Sequence, residues 1–398
     1  FSWNPIQIED YKKKGYFMSA STNSRPLFQR ARFVLLAALL LLVGLLPCGT
    51  LLADDALIMP RASQSLLLDI INIDQRLVAV GDRGHILYSD DNALSWTQAQ
   101  VPVRQMLTAV SFPSKQQGWA VGHDGVIVTT IDGGEHWVLQ RNGLLEQGKL
   151  DMGKLTSLQK QRQALENTLL SAGSDRDKQS LELKLEDLEL DIEDAQLVLE
   201  EAVYAPPLLD VFFSDPLHGI AIGAFNTLLV TVDGGLNWRH VAGLLNNPEE
   251  LHLNAVTGDG DGGLWIAGEG GVIFSSSNYG ASWSVLESPY PGSWFGIDYA
   301  PSSGRLLLFG LRGNVFYSDD GGDSWQRSSV ASERSLTGGG FINQRYAVLV
   351  GAVGTMLVSR DGGKSFQPRN LPNRVNLSAV VCIDGAAVAV GHGGVQLV

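Results

Sequence analysis

The sequence predicts an all-β fold, a seven-bladed β-propeller. Three observations carry it: a box repeated six times, the first Gly of a G-x-x-G turn repeated seven times (the third copy closing on Asn226), and a spacing of about 40 residues between copies. The box is clearest at Ser318-Asp319-Asp320-Gly321-Gly322-Asp323-Ser324-Trp325. Its copies close on Trp96, Trp137, Trp238, Trp283, Trp325 and Phe366, in steps of 41, 101, 45, 42 and 41 residues. The first glycine of the second landmark stands at Gly81, Gly122, Gly223, Gly268, Gly310, Gly351 and Gly391.

The box reads as a turn that ties itself closed. A Ser or Thr hydroxyl and the carboxylate two residues on (Asp91, Asp132, Asp233, Asp320, Asp361) bond to turn backbone, Gly supplies positive φ, and the aromatic packs beneath. Ala93 takes the Gly slot in the first copy and Asn278 the Asp slot in the fourth, so both are expected to be looser turns. Such a box is scaffold and does no chemistry.

In chain order, Phe33 to Leu46 is an unbroken apolar run behind Arg25, Arg30 and Arg32, followed by Pro47 and Ala53. This is the arrangement of a secretory signal, so residues 18–53 are expected to direct export to a bacterial periplasm. A retained signal anchor competes, because apolar character persists to Leu52 and approaches the ~20 residues of a span. Residues 1–17 carry Glu9 and Asp10 ahead of the basic region and read as an upstream extension, with Met18 as the start. Cleavage would move the formal charge from −13 to −17, as six bases and two acids are lost. An acidic surface of that size disfavours nucleic acid. Cys382 alone would remain, which excludes an internal disulfide.

Residues 54–143 hold the first two repeats and 204–398 the other five, each read as four short strands. Leu107, Val110 and Phe112 mark a first strand, Trp119 to Gly122 a second, Val126 to Thr129 a third, and the box aromatic a fourth. The last repeat, from Leu377, stops before any box. Ala56-Leu57-Ile58-Met59 is expected to supply its missing strand and so close the ring without exposed edges.

Residues 144–203 break the rhythm. Leu181, Leu185, Leu188, Ile192, Ala195, Leu199 and Ala202 form a 4-3 seam, and Leu155, Leu158, Leu165 and Leu169 a weaker one with Asp151 and Arg162 off register. An antiparallel coiled-coil hairpin is predicted, bent at Ser171 to Ser174. From Ser174 to Val203 it has eleven acids against three bases, which alone describes a solvated face. Leu183, Leu190 and Leu197 form a second stripe, more than a two-helix contact uses, and are candidate partner contacts.

Strand order puts the G-x-x-G turns and the links between repeats on one face, the boxes on the other. Arg83 and Arg312 lie in turns and Arg61, Arg104, Arg334 and Arg374 in links, so that face gathers arginine. Outside the hairpin the exported part has fourteen Arg and two Lys, a bias suited to gripping polypeptide. Tyr290 and Trp294 are candidate exposed anchors, or alternatively a cover for the sheet edge. His85, His123 and His392 share no ligand spacing, so neither metal nor cofactor is expected.

The run from Val121 to Trp137, V-G-x-x-G through D-G-G-x-x-W, resembles the photosystem II stability and assembly factor family of Asp-box propellers. The resemblance spans residues 56–143 and 204–398. It implies a non-enzymatic factor, monomeric when free, that holds a membrane protein through an arginine-rich face; Arg83, Arg104, Arg312, Arg334 and Arg374 are the matching positions. In non-photosynthetic bacteria the resemblance implies a periplasmic accessory of an inner-membrane protein complex, including resistance-nodulation-division transporters. The hairpin departs from the photosynthetic pattern. The competing class is an exo-glycosidase of the sialidase type, which needs three arginines on the substrate carboxylate and a Tyr–Glu nucleophile.

Overall fold

Among the described residues seven separate sheets follow one another, each built mainly as an antiparallel meander. The computed structural model describes residues 55–369 and 371–398. The expected extension, 1–17, and the expected export signal, 18–53, lie outside the described residues. Innermost strands run Leu67–Ile73, Leu107–Ser111, Leu208–Phe213, Leu253–Gly258, Trp294–Ala300, Leu336–Phe341 and Leu377–Ile383. The second strands read as unbroken apolar runs, such as Leu77 to Val80 and Leu306 to Phe309, because both of their faces are covered. The outermost strands are two residues long in four sheets, and exposed.

The core is divided into seven apolar layers, each filling the space between consecutive sheets. Val80, Ile86, Val110 and Val128 join the first sheet to the second, and Ile222, Leu228, Val256 and Phe274 the third to the fourth. One layer joins the ends of the chain: Leu67, Ile70 and Leu77 of the first sheet pack with Ala379, Ile383 and Val388 of the last. The boxes sit where the pattern predicts. In the fifth, Ser318 Oγ donates to Asp320 Oδ1 at 2.7 Å and accepts from Gly322 N at 2.9 Å, while Asp320 accepts from Ser324 N at 2.9 Å. The expected looseness of two copies is not found. Ser89 Oγ accepts from Ala93 N at 3.0 Å, and Asn278 Oδ1 accepts from Ser282 N at 2.9 Å, because neither bond needs the replaced group.

The last sheet departs from expectation. It has three strands, Leu377–Ile383, Ala386–Gly391 and Gly394–Leu397, and Ala56 to Met59 adds none to it. That segment instead turns to the first sheet: Ala56 N donates to Val101 O at 2.9 Å, and the Gln98 amide brackets Leu57 O and Met59 N. Leu57 and Ile58 are exposed, so their apolar character does not report burial in the ring. The join to the last sheet falls a few residues later, where Ser63 and Gln64 lie against Gly394 and Ala62 enters the shared core.

Every innermost strand carries a β-bulge near its start, at the same place in all seven sheets. A bulge re-aims one side chain. The residues skipped by the register are Leu68, Thr108, Leu209, Asn254, Phe295, Thr337 and Ser378, and all seven line one axial cavity of about 200 Å³.

The helical arms run Gly143–Ser171 and Asp175–Glu200, joined by Ala172 to Ser174. Asn142 and Ser174 cap them, accepting from Leu145 N and Asp177 N. Ile192 and Ala195 are buried in the seam, and Asp151, off the apolar register, accepts from Gln147 Nε2 at 2.8 Å.

Candidate partner-binding face

Each of the first six turns is a tight one in which the residue two after the opening glycine lies in the left-handed region, among them Arg83 at φ 56°, Asp124 at 56°, Arg312 at 56° and Val353 at 59°. Where the turn closes on glycine, that glycine lies against a link between sheets, and in the third turn Asn226 takes its place. A Cβ on Gly84 would meet Val103 O at 2.0 Å, and one on Gly313 would meet Ser332 O at 2.1 Å. Only glycine fits there. Turn and link are therefore packed together on one face, and the arginines come with them.

Gly84 touches Arg104, which sets Arg83 beside Arg104 between the first two sheets. Arg312 N donates to Ser335 Oγ at 3.4 Å, beside Arg334, between the fifth and sixth. Arg374 lies against Gly354 between the sixth and seventh, and Arg61 at the join of last and first. All six are exposed, and they occupy consecutive intersheet positions from the fifth sheet round to the second. Arg83 reaches Asp82 at 3.4 Å, and Arg104 Nε donates to Asp55 O at 2.8 Å. The guanidinium groups of Arg312, Arg334 and Arg374 have no side-chain partner among the described residues.

The hairpin rises from this same face. Gly143, which opens the first arm, packs on Asp124 and Gly125 of the second sheet's turn, and Arg141 donates to Gly125 O. Burial depresses the Arg141 guanidinium from its ordinary value. Leu183, Leu190 and Leu197 point outward, 59%, 59% and 54% exposed.

Two candidates are corrected. Trp294 is fully buried, its Nε1 donating to Ser288 Oγ at 3.1 Å and its ring edge-on to Phe316. As the first residue of an innermost strand it fills the core between the fourth and fifth sheets. Tyr290 packs edge-on to it, 5.7 Å between centroids, and is half-buried. The pair covers the sheet edge and offers no exposed anchor. His85, one of the three turn histidines, is buried, its Nδ1 3.0 Å from Ser65 Oγ, and burial lowers its pKa. Among the described residues no group of three His, Cys, Asp or Glu is placed to hold a metal.

Several functional-looking residues escaped the pattern. Arg76 and Arg305 act on the box face: each clasps an Asp fourteen residues on, Asp90 and Asp319, at 2.6 Å, lies over Tyr88 or Tyr317, and donates to the next box. The shared spacing was their signal. Three axial carboxylates also bridge sheets. Asp69 accepts from Ile70 N and Val110 N, Asp210 from Val211 N and Val256 N, and Asp298 from Phe341 N. They tie the first sheet to the second, the third to the fourth, and the fifth to the sixth. Desolvation pushes Asp210 up to about 7, with help from the charge of Asp69, and Asp298 up to about 6. The cavity lining includes no Arg, Tyr or Glu, so the groups a sialidase needs do not converge there.

The fold is a β-propeller, as solved structures of that kind agree. YCF48 bound to D1 peptide aligns at TM-score 0.57 and 15% identity, over 84% of this chain and 93% of that one. YCF48 from Cyanidioschyzon merolae aligns at 0.56 and 16%, over 85% and 96%. The family described as photosynthesis system II assembly factor YCF48 matches residues 74–162 and 193–333, more than half the chain, and this protein belongs to that family. Photosystem II assembly lipoprotein Ycf48 of Synechococcus sp. (strain CC9902) is 34% identical over 122 residues, 30% of this chain and 36% of the relative. The chloroplastic photosystem II stability/assembly factor HCF136 of Arabidopsis thaliana is 22% identical over 327 residues, 78% and 76%. The match thus spans about a third of the Synechococcus relative and about three quarters of the Arabidopsis one.

Proposed function

We propose that this protein is a non-enzymatic binding or assembly factor for a membrane protein complex, gripping its client with the arginine face and the hairpin. The seven sheets are, in this reading, seven blades of one closed ring. The observation that carries it is the arc of exposed arginines, four of them, Arg61, Arg312, Arg334 and Arg374, with no side-chain partner among the described residues. Arginine presents a planar fork to carboxylates and carbonyls and sheds water more readily than lysine, so such an arc suits polypeptide. Arg83 and Arg312 also hold the left-handed conformation that Gly270 holds in the fourth sheet. Asp124 and Val353 hold it as well, so the strain belongs to the turn, and what the two arginines add is the side chain they present to solvent.

One relative has been solved with a D1 peptide, and others are assembly factors of photosystem II by description. For this chain we propose an inner-membrane client reached from the periplasm, of the resistance-nodulation-division transporter class. Arg312→Glu with Arg334→Glu tests the face directly. Both side chains are exposed, so the melting temperature should hold, while crosslinking from membranes should lose the client. A client captured as in the unmodified protein would refute the face as the grip.

A further inference from the structure

We propose that the outer surface of the hairpin's second arm is a docking ridge for a basic amphipathic helix of a partner protein. The seam residues Leu185, Leu188, Ile192, Ala195 and Leu199 pack toward the first arm. Leu183, Leu190 and Leu197 recur every seven residues two positions before Leu185, Ile192 and Leu199, opposite the seam at 3.6 residues per turn. Each is more than half exposed.

Their helical neighbours, three and four positions away, are acidic almost throughout. Glu186 and Asp187 stand between Leu183 and Leu190, Glu193 and Asp194 between Leu190 and Leu197, and Glu200 and Glu201 close the row. None of these six carboxylates is in an ion pair among the described residues. The result is an apolar ridge about 21 Å long at 1.5 Å per residue, lined on both sides by negative charge.

Helix stability does not account for this arrangement. Carboxylates in a last turn oppose the helix dipole, and this arm has no basic residue there to offset them. The leucines add nothing to the contact between the arms.

Charge complementarity selects the occupant. An anionic membrane surface and nucleic acid are repelled, and a second copy would bring an equally acidic arm against this one. A helix with an apolar stripe flanked by Lys or Arg satisfies both the ridge and its borders. The inference rests on the hairpin's part in the proposed grip and gives that part a chemistry.

The test uses the full chain and a labelled 18-residue amphipathic Leu/Lys peptide with leucines at heptad spacing, read by fluorescence anisotropy. Binding is expected to weaken at least about fivefold between low and high salt. Leu183→Gln, Leu190→Gln and Leu197→Gln together should weaken it at least about tenfold with helicity and melting temperature retained. Glu186→Gln with Glu193→Gln and Glu200→Gln should flatten the salt dependence. Wild-type affinity in the leucine variant, equal binding of a peptide with Glu for Lys, or a dimer in sedimentation that the leucine variant abolishes would each overturn the proposal. The Arg312→Glu, Arg334→Glu chain should bind the peptide normally, so failure of the arginine face and failure of this ridge are separate results.

Discussion

Replacing Asp210 by Asn should change how stability responds to pH. Asp210 Oδ1 and Oδ2 accept from Val211 N and Val256 N, both at 2.8 Å, and Asp210 lines the axial cavity together with Asp69. Desolvation and the Asp69 charge raise its pKa from 3.8 to about 7. A carboxyl whose folded pKa exceeds its unfolded one contributes stability that is complete below the unfolded value and is lost as pH rises through the folded value. The interval is about three units, and at about 1.4 kcal/mol per unit the ceiling is about 4 kcal/mol. The cavity is polar and opens between the strand starts, so we take about half of that, about 2 kcal/mol, as the expected change. Asn keeps one acceptor and sets an amide N–H against the other backbone donor, a constant loss of about 1–2 kcal/mol. Urea unfolding of both proteins from pH 4 to 8 isolates the term, because the other titrating groups are common to the two. The advantage of Asp over Asn should shrink steadily from pH 4 to 7. A difference that is flat, or grows with pH, would show that Asp210 is ionised without cost and refute the argument.

The boxes should behave in the opposite sense. Hydrogen bonds from Ser318 and Ser324 hold Asp320 at about 2, so its contribution is present above pH 4 and fades as pH falls toward 2. Asp320→Ala should lower the urea midpoint at pH 7, and Asp320→Asn should lower it by less, since Asn278 keeps the same two bonds to its turn. Gly313→Ala places a methyl 2.1 Å from Ser332 O at φ 69° and should cost at least about 2 kcal/mol, with loss of the client if the turn carries Arg312 out of place.

Sequence reasoning reached the scaffold because the scaffold is periodic. Six boxes and seven glycine turns are local devices, each needing its residues regardless of distant contacts, so spacing alone exposed the sheets and the 101-residue step that holds the hairpin. The ring join was misjudged because an apolar tetrapeptide at the right offset looks the same whether it pairs with the last sheet or lies exposed along the first. Leu57 and Ile58 carry strand-like composition without burial. Trp294 misled for a related reason: an aromatic residue in a link between repeats suggests a surface anchor, yet this one opens an innermost strand and is fully buried. The axial aspartates were invisible because a carboxylate within a strand reads as solvent-facing unless the bulge and the neighbouring sheet are known. The arginine face was legible as position, since turn and link must share a side.

The seven bulges separate two jobs that strands usually mix. One residue per sheet is excluded from pairing and points at the axis, while its neighbours keep the layers packed. The chain therefore carries a rosette of seven letters, now Leu, Thr, Leu, Asn, Phe, Thr and Ser; Thr108, Asn254 and Thr337 also bond to the backbone of the next sheet, so the text can be rewritten most freely at Leu68, Leu209, Phe295 and Ser378.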